Sequence, residues 1–175
     1  ARKNSPEMVK LLLDGKANPL QRCSDQKCGG SCANAVSDTG MLQLLVDARC
    51  DINQSNGLDS PVYRALSASN EAALQILVEA RCDINQSHGG WRPVHRAVKN
   101  EKLLQILVDA RCNINVTNHA QETPLHIAAK HHSCESSVRL LLASGANKSC
   151  KDKNGLTALE VVQYGASDAI KALLR

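Results

Sequence analysis

Phenylalanine is missing from this chain altogether, and one Trp and two Tyr bring the aromatic share to only 2%. A core without aromatic rings has to be filled by Leu, Ile, Val, Ala and Cys. That suits packed helices better than a β-sandwich, whose strands favour aromatic and β-branched residues. Long apolar runs are missing too: no stretch approaches the ~20 residues of a bilayer-crossing helix, and no charged-then-apolar signal segment opens the sequence. No membrane insertion is therefore expected. Nor is there a long run of one charge sign, because the 21 basic and 17 acidic residues behind the net charge of +4 are scattered along the chain. A nucleic-acid binder would show a basic stripe interleaved with stacking aromatics. Only Trp91, Tyr63 and Tyr164 are available, so no nucleic-acid partner is expected.

The motifs of catalysis are absent as well. The sequence has no Gly-rich phosphate loop, no Gly-x-Ser-x-Gly elbow, no His-Glu-x-x-His pair and no carboxylate dyad repeated at a fixed spacing. No catalytic residue, cofactor or enzyme activity is expected within these residues.

Hydrophobic residues, at 43%, suffice for a core, and eight cysteines are present. Disulfide frameworks serve mainly short secreted chains that lack a core, so reduced thiols in an intracellular, cytoplasmic or nuclear protein fit better. Three of these cysteines cluster in RCSDQKCGGSC, residues 22–32, with Cys23, Cys28 and Cys32 spaced more widely than a two-residue zinc knuckle.

The strongest signal is internal repetition. LLVDARCDINQSN at 44–56, ILVEARCDINQSH at 76–88 and ILVDARCNINVTN at 106–118 nearly superimpose, flanked by the diverged copies LLLDGKANP and LLLASGANKS. The small residues Ala17, Cys50, Cys82, Cys112 and Ala146 recur at intervals of 33, 32, 30 and 34. A second element recurs in step: SPVYRAL at 60–66, RPVHRAV at 92–98, TPLHIAA at 123–129 and TALEVVQ at 157–163. Pro61, Pro93 and Pro124 suit the first turn of a helix, and Ser60 and Thr123 are good caps before it. LLQILVDA then gives a helix whose buried face is Leu103, Leu104, Leu107 and Val108, followed by an extended DIN or NIN segment. One such helix pair cannot bury its apolar face alone, so neighbours must stack.

This double pattern resembles the ankyrin repeat, with a literal match at Thr123, Pro124, Leu125, His126 and Ala128, and with DKNGLTALE copying the usual loop. The resemblance implies an all-α solenoid of stacked helix-turn-helix units with short loop fingers, truncated at both ends. The units would be a partial repeat at 1–19, repeats at 20–53, 54–85, 86–115 and 116–149, and a partial terminal repeat at 150–175. The opening ARKNSPEMVKLLL and closing IKALLR both fit the interior of a repeat, so a longer parent protein is expected.

Within that register, the gaps from Ala35 to Cys50 and from Ala97 to Cys112 are 15 residues, against 17 and 18 elsewhere. The first helix or its turn must lose about half a helical turn in the short copies. Cys32, Cys50, Cys82 and Cys112 fall at core positions, while Cys23 and Cys28 fall in a loop enlarged by two residues. No metal site is expected from them or from His131, His132 and Cys134, which read as an exposed polar turn. His95 and His126 sit at the signature His, which in the family ties loops together by hydrogen bonds.

Only Gly145 keeps the family's Gly at the left-handed exit from the second helix. Arg49, Arg81 and Arg111 stand there in other repeats, each at a cost of ~1 kcal/mol if that conformation is retained. They read either as cations compensated by the helix dipole or as a candidate basic ladder for an acidic partner. Trp91, in HGGWRP, is either an interface anchor or local packing over the adjacent loop.

The resemblance implies that the partner is another protein, gripped on a concave face by loop tips and first helices. The residues in these positions are Leu58, Asp59, His88, Trp91, His119 and Glu122, with Lys153 and Leu156 further on. The first helices add Lys99, Asn100, Lys130 and His131. The fragment itself is expected to be monomeric, a module of a larger intracellular adaptor. The SPVYRAL style of motif is further similar to the ankyrin and SOCS box family, which implies substrate recognition for a cullin-type ubiquitin ligase. A ligand-sensing regulatory segment of a larger enzyme or channel is the other class of function, and a purely architectural spacer a third.

Overall fold

A computed structural model describes residues 35–47, 52–53, 60–162 and 168–175. Expectations for Cys23, Cys28, Cys32, Arg49, Cys50, Leu58 and Asp59 lie outside the described residues. The chain divides into two compact units, Ala1–Asp83 and Ile84–Arg175. Among the described residues the elements are helices, with two isolated bridges, His88 to Trp91 and Lys151 to Thr157.

In the first unit, α1 (Thr39–Asp47) and α2 (Pro61–Ser67) both pack on α3 (Glu71–Glu79). Leu42, Val62, Ala65, Ala73, Leu74 and Leu77 are buried at the contacts. The proline-first start of α2 is as expected: Pro61 occupies the first turn and Ser60 Oγ accepts from Tyr63 N at 3.2 Å. Asn70 has two tasks. Its Oδ1 caps α3 by accepting from Ala73 N at 3.0 Å, while its Nδ2 donates to Val36 O at 2.9 Å and so ties two repeats together.

The second unit holds three helix pairs: α4 (Pro93–Ala97) with α5 (Glu101–Asp109), α6 (Pro124–Ala129) with α7 (Glu135–Ala143), and α8 (Ala158–Val161) with α9 (Asp168–Leu174). First helices pack in one row, α4 on α6 on α8, and second helices in another, α5 on α7 on α9. The core lies between the rows, where Leu103, Leu104, Leu107, Leu125, Val138, Leu141 and Ile170 are sealed from solvent. Val108, expected on the buried face, is only half-buried at its edge. As the shortened gap demands, α4 runs five residues where α2 runs seven. Asn100 N then bonds Ala97 O directly, the same turn that Asp38 N makes with Ala35 O in the other short copy.

Two expectations need correction. The DIN and NIN segments turn at residues 52–53, 84–85 and 114–115 and are not extended chain; in NIN, Asn113 accepts from the N–H two residues on at 3.0 Å, as Asn147 does at 2.9 Å in the equivalent segment of the next repeat. Each turn drives Ile52, Ile84 or Ile114 into the core. The segment around His131 is likewise no exposed polar loop: a 3-10 turn, His132–Cys134, leads into α7 and buries Cys134.

A second row of side-chain links runs along these turns. Asn53 Oδ1 accepts from Asp83 N at 2.8 Å in the first unit. In the second, Asn85 Oδ1 accepts from Asn113 N at 3.1 Å and Asn115 Oδ1 from Asn147 N at 2.9 Å. Cys82 and Cys112 are buried beside them, as their anchor position predicts, and burial pushes the Cys112 thiol up to about 11.

Candidate functional site

Three loop fingers precede the first helices of the second unit. The first is HGGW, where His88 and Trp91 exchange backbone hydrogen bonds of 2.8 and 2.9 Å. Its two central residues both have positive φ, 51° at Gly89 and 74° at Gly90, the requirement of a type I′ turn. A side chain at position 90 would collide with the His119 ring, so the first finger lies backbone-on-imidazole against the second.

The second and third fingers, Asn118–Glu122 and Asp152–Leu156, are one residue longer and share a design. The first residue folds the loop around its own side chain: Asn118 Oδ1 accepts from Ala120 N and Glu122 N at 2.8 and 3.0 Å. Asp152 Oδ1 accepts from Asn154 N and Leu156 N at the same two distances. The N–H of Leu156, then that of Asn154, hold the Asp152 carboxyl below the usual range despite burial. The fourth residue has positive φ, 79° at Gly155 but also 56° at Gln121, where a side chain is strained. Lys153 N donates to Ala120 O at 3.0 Å and locks the third finger to the second.

The signature histidines bind each finger to the helix before it. His95 Nδ1 accepts from Arg92 N at 3.1 Å, closing the start of α4, which leaves Nε2–H to donate to Glu122 O at 3.1 Å. His126 repeats this: Nδ1 accepts from Thr123 N at 3.2 Å, and Nε2 donates to Leu156 O at 3.1 Å. In the third pair Glu160 stands in the histidine's place, accepting from Thr157 N at 2.7 Å while Thr157 Oγ1 accepts from Glu160 N. The loop-tying role expected of both histidines is thus realised in geometry. Burial lowers the His95 pKa from its ordinary 6.5, and three backbone hydrogen bonds only partly offset this.

Several expected contact residues turn out to have work inside the fold. Glu122 is no loop tip: only 8% exposed, it pairs with Lys130 and accepts from Asn118 Nδ2 at 2.8 Å. Burial would raise its pKa, but Lys130 and Asn118 hold it below the ordinary value. Two residues expected to face a partner therefore neutralise each other. Asn100 is the cap of α5, accepting from Lys102 N and Leu103 N at 3.1 and 3.3 Å. His131 is half-buried ahead of the 3-10 turn. Arg81 and Arg111 are exposed and both keep the left-handed conformation, each with φ 58°.

What remains outward-facing is concise. His119, Lys99 and Lys153 are exposed, and His88 is half-buried. Trp91 at 41% and Leu156 at 39% are the exposed large hydrophobic residues among those described, and they occupy the same place at the end of the first and third fingers. Trp91 also meets His95 edge-to-face, with centroids 5.8 Å apart and planes at 82°, so the ring takes part in local packing while much of it stays exposed. Sequence reading missed Asn118 and Asp152 as loop organisers. An Asx residue five positions ahead of the signature Thr, Asn118 before Thr123 and Asp152 before Thr157, was the available signal.

In the first unit, Val36, Ser37, Arg64, Ser67 and Ala68 line a shallow open groove. Among the described residues no group of three or more His, Cys, Asp or Glu is placed to hold a metal, and no helix is long and apolar enough to cross a membrane.

A family model described as ankyrin repeats (3 copies) matches residues 31–118 and 94–175. The crystal structure of EF0377, an ankyrin repeat protein, superimposes with a TM-score of 0.82 at 23% identity, covering 97% of this chain and 91% of that one. No curated protein matches.

Proposed function

The chain belongs to the ankyrin repeat family, whose repeats generally mediate protein–protein interaction, and from that premise we propose that it is the partner-binding module of a larger intracellular adaptor. The partner docks across the fingers and first helices, with Trp91 as the anchor. One observation carries this reading: an indole 41% exposed on a two-residue turn that is itself fixed by two backbone hydrogen bonds and by the His119 contact. Covering a rigid, exposed Trp releases water without ordering a mobile loop, which is why such residues dominate interface energies.

The exposed cations Arg81 and Arg111 are a secondary proposal as acidic-partner contacts within their own units. The narrower reading as substrate receptor of a cullin-type ubiquitin ligase gains nothing from SPVYRAL, since Ser60 and Pro61 start α2 and Val62, Tyr63, Ala65 and Leu66 are buried. Those residues serve folding in any pathway.

The test is affinity capture with wild type and Trp91→Ala side by side. Loss of an anchor costs about 2 kcal/mol or more, roughly thirtyfold in affinity. Melting should drop only by the edge contact with His95, about 0.5–1.5 kcal/mol. Equal capture by both proteins, with both folded, would remove Trp91 from the interface.

A further inference from the structure

Lys99 and Lys130 hold the same position, each two residues beyond the buried alanine of its first helix, Ala97 or Ala128. Lys130 reaches back eight residues to the Glu122 carboxylate at the base of its finger. Eight residues before Lys99 stands Trp91. The fold thus repeats the ammonium but replaces its carboxylate with an indole. Lys99 is exposed, and among the described residues its ammonium is paired with no carboxylate.

Among the described residues, not even the carboxylate of Glu101 at the start of α5 pairs with Lys99. Residues 86–100, the first finger and its helix, contain no Asp or Glu. On the later fingers and first helices the carboxylates are Glu122, Asp152 and Glu160, and each is engaged internally by Lys130, by loop N–H groups, or by Thr157. Arg96 and Lys153 add exposed positive charge to the same face.

We propose, on the footing of the protein-binding reading above, that the Trp91 and Lys99 pair receives an acidic segment of the partner. An Asp or Glu side chain takes the place at Lys99 that Glu122 holds at Lys130, and an apolar neighbour of that acid lies on the indole. The charge-assisted hydrogen bond is strengthened where the indole excludes water. Leu156 supplies a second apolar point in the equivalent place two repeats on. Stacked helices lie about 8–10 Å apart, so two steps are about 16–20 Å, the span of about five or six extended residues. The partner segment therefore carries an acid beside one apolar residue, and a second apolar residue about one such span away.

A displayed library of random peptides, selected against the whole chain and followed by anisotropy titration of the enriched sequences, tests this. Enriched peptides should pair Asp or Glu with an adjacent Leu, Ile, Met or Phe. Lys99→Glu should weaken them about tenfold or more, and an acid-to-Lys change in the peptide should restore binding to that variant. Trp91→Glu, which offers Lys99 an internal carboxylate as in the next repeat, should abolish binding while lowering the melting temperature no more than Trp91→Ala does. Enrichment of neutral or basic peptides, or acidic binding untouched by Lys99→Glu, would overturn the inference. If such peptides still depend on Trp91, the protein-binding reading survives it. Equal competition by polyuridine RNA would also overturn it, by making the face a general polyanion surface. Enrichment of nothing overturns it too, and the capture experiment then decides the module reading separately.

Discussion

Arg111 shows how a single residue departs from a pattern and stays folded. At φ 58° it holds the left-handed exit from α5, a conformation that Gly145 adopts without strain at the end of α7. A non-glycine residue there costs about 1 kcal/mol, lessened by placing a cation against the negative end of the helix. Arg111→Gly should therefore stabilise by about 0.5–1 kcal/mol, read as a shift of the urea midpoint at constant slope, and Arg81→Gly should act alike. The side chains that pack can be read in sequence, since the anchor residues Cys82 and Cys112 and the signature alanines Ala65, Ala97 and Ala128 are buried where the repeat register puts them. Solvation cannot be read so directly. Glu122 looked like a loop-tip contact because its burial depends on Asn118, four residues before it, and Lys130, eight after it, folding back onto its carboxylate. Thiol chemistry follows the same burial: Cys112, with its pKa at about 11, should resist a thiol-alkylating reagent at neutral pH far longer than half-buried Cys150. Mass-spectrometric labelling at each site checks this.

Among the elements, the first helices are so short that their ends decide whether they exist. Four to seven residues lie well below the length at which a helix holds in water, so caps and packing must supply the rest. Proline at the first position and Ser or Thr before the helix were legible, and so was a loss of about half a turn in the short copies, whereas the Asn caps of α3 and α5 were not. The turns after the second helices were not, because an Asx side chain closing on its own backbone competes with extended chain and leaves the hydrophobic pattern unchanged. Replacing His95 by Ala removes an acceptor at the start of α4 and a donor to Glu122 O, and should destabilise by about 2–3 kcal/mol in urea melts. The pH dependence has a definite sign. Above pH 6.5 both states keep this imidazole neutral and it contributes no slope. Below it the unfolded chain takes up the proton first, so stability falls with falling pH until the depressed folded value is passed. His95→Ala should flatten that part of the curve.

Across the second unit, two rows of helices enclose one leucine-rich layer, and every pair contributes to it. Leu104→Ala should cost about 2–5 kcal/mol, since close-packed neighbours on both sides cannot collapse into the space. The repeat period and the paired motifs made this architecture readable from sequence. The links between repeats were only half readable: the histidines announced themselves, while Asn85 and Asn115 read as parts of extended segments, and their carboxamides in fact bind the next repeat at 3.1 and 2.9 Å.

The histidine links have a direction. Arg92 N–H points to His95, His95 to Glu122 C=O, and the next N–H in the chain, that of Thr123, points to His126. His126 points to Leu156 C=O, and the following N–H, of Thr157, ends on the Glu160 carboxylate. Two imidazoles and two peptide planes are thus polarised head to tail toward one anion, each member sharpening the dipole of the next. Since a peptide cannot reverse its N–H and C=O, the proton order is frozen: the backbone alone holds both rings in the Nε2–H form, and the dipoles run one way across successive repeats.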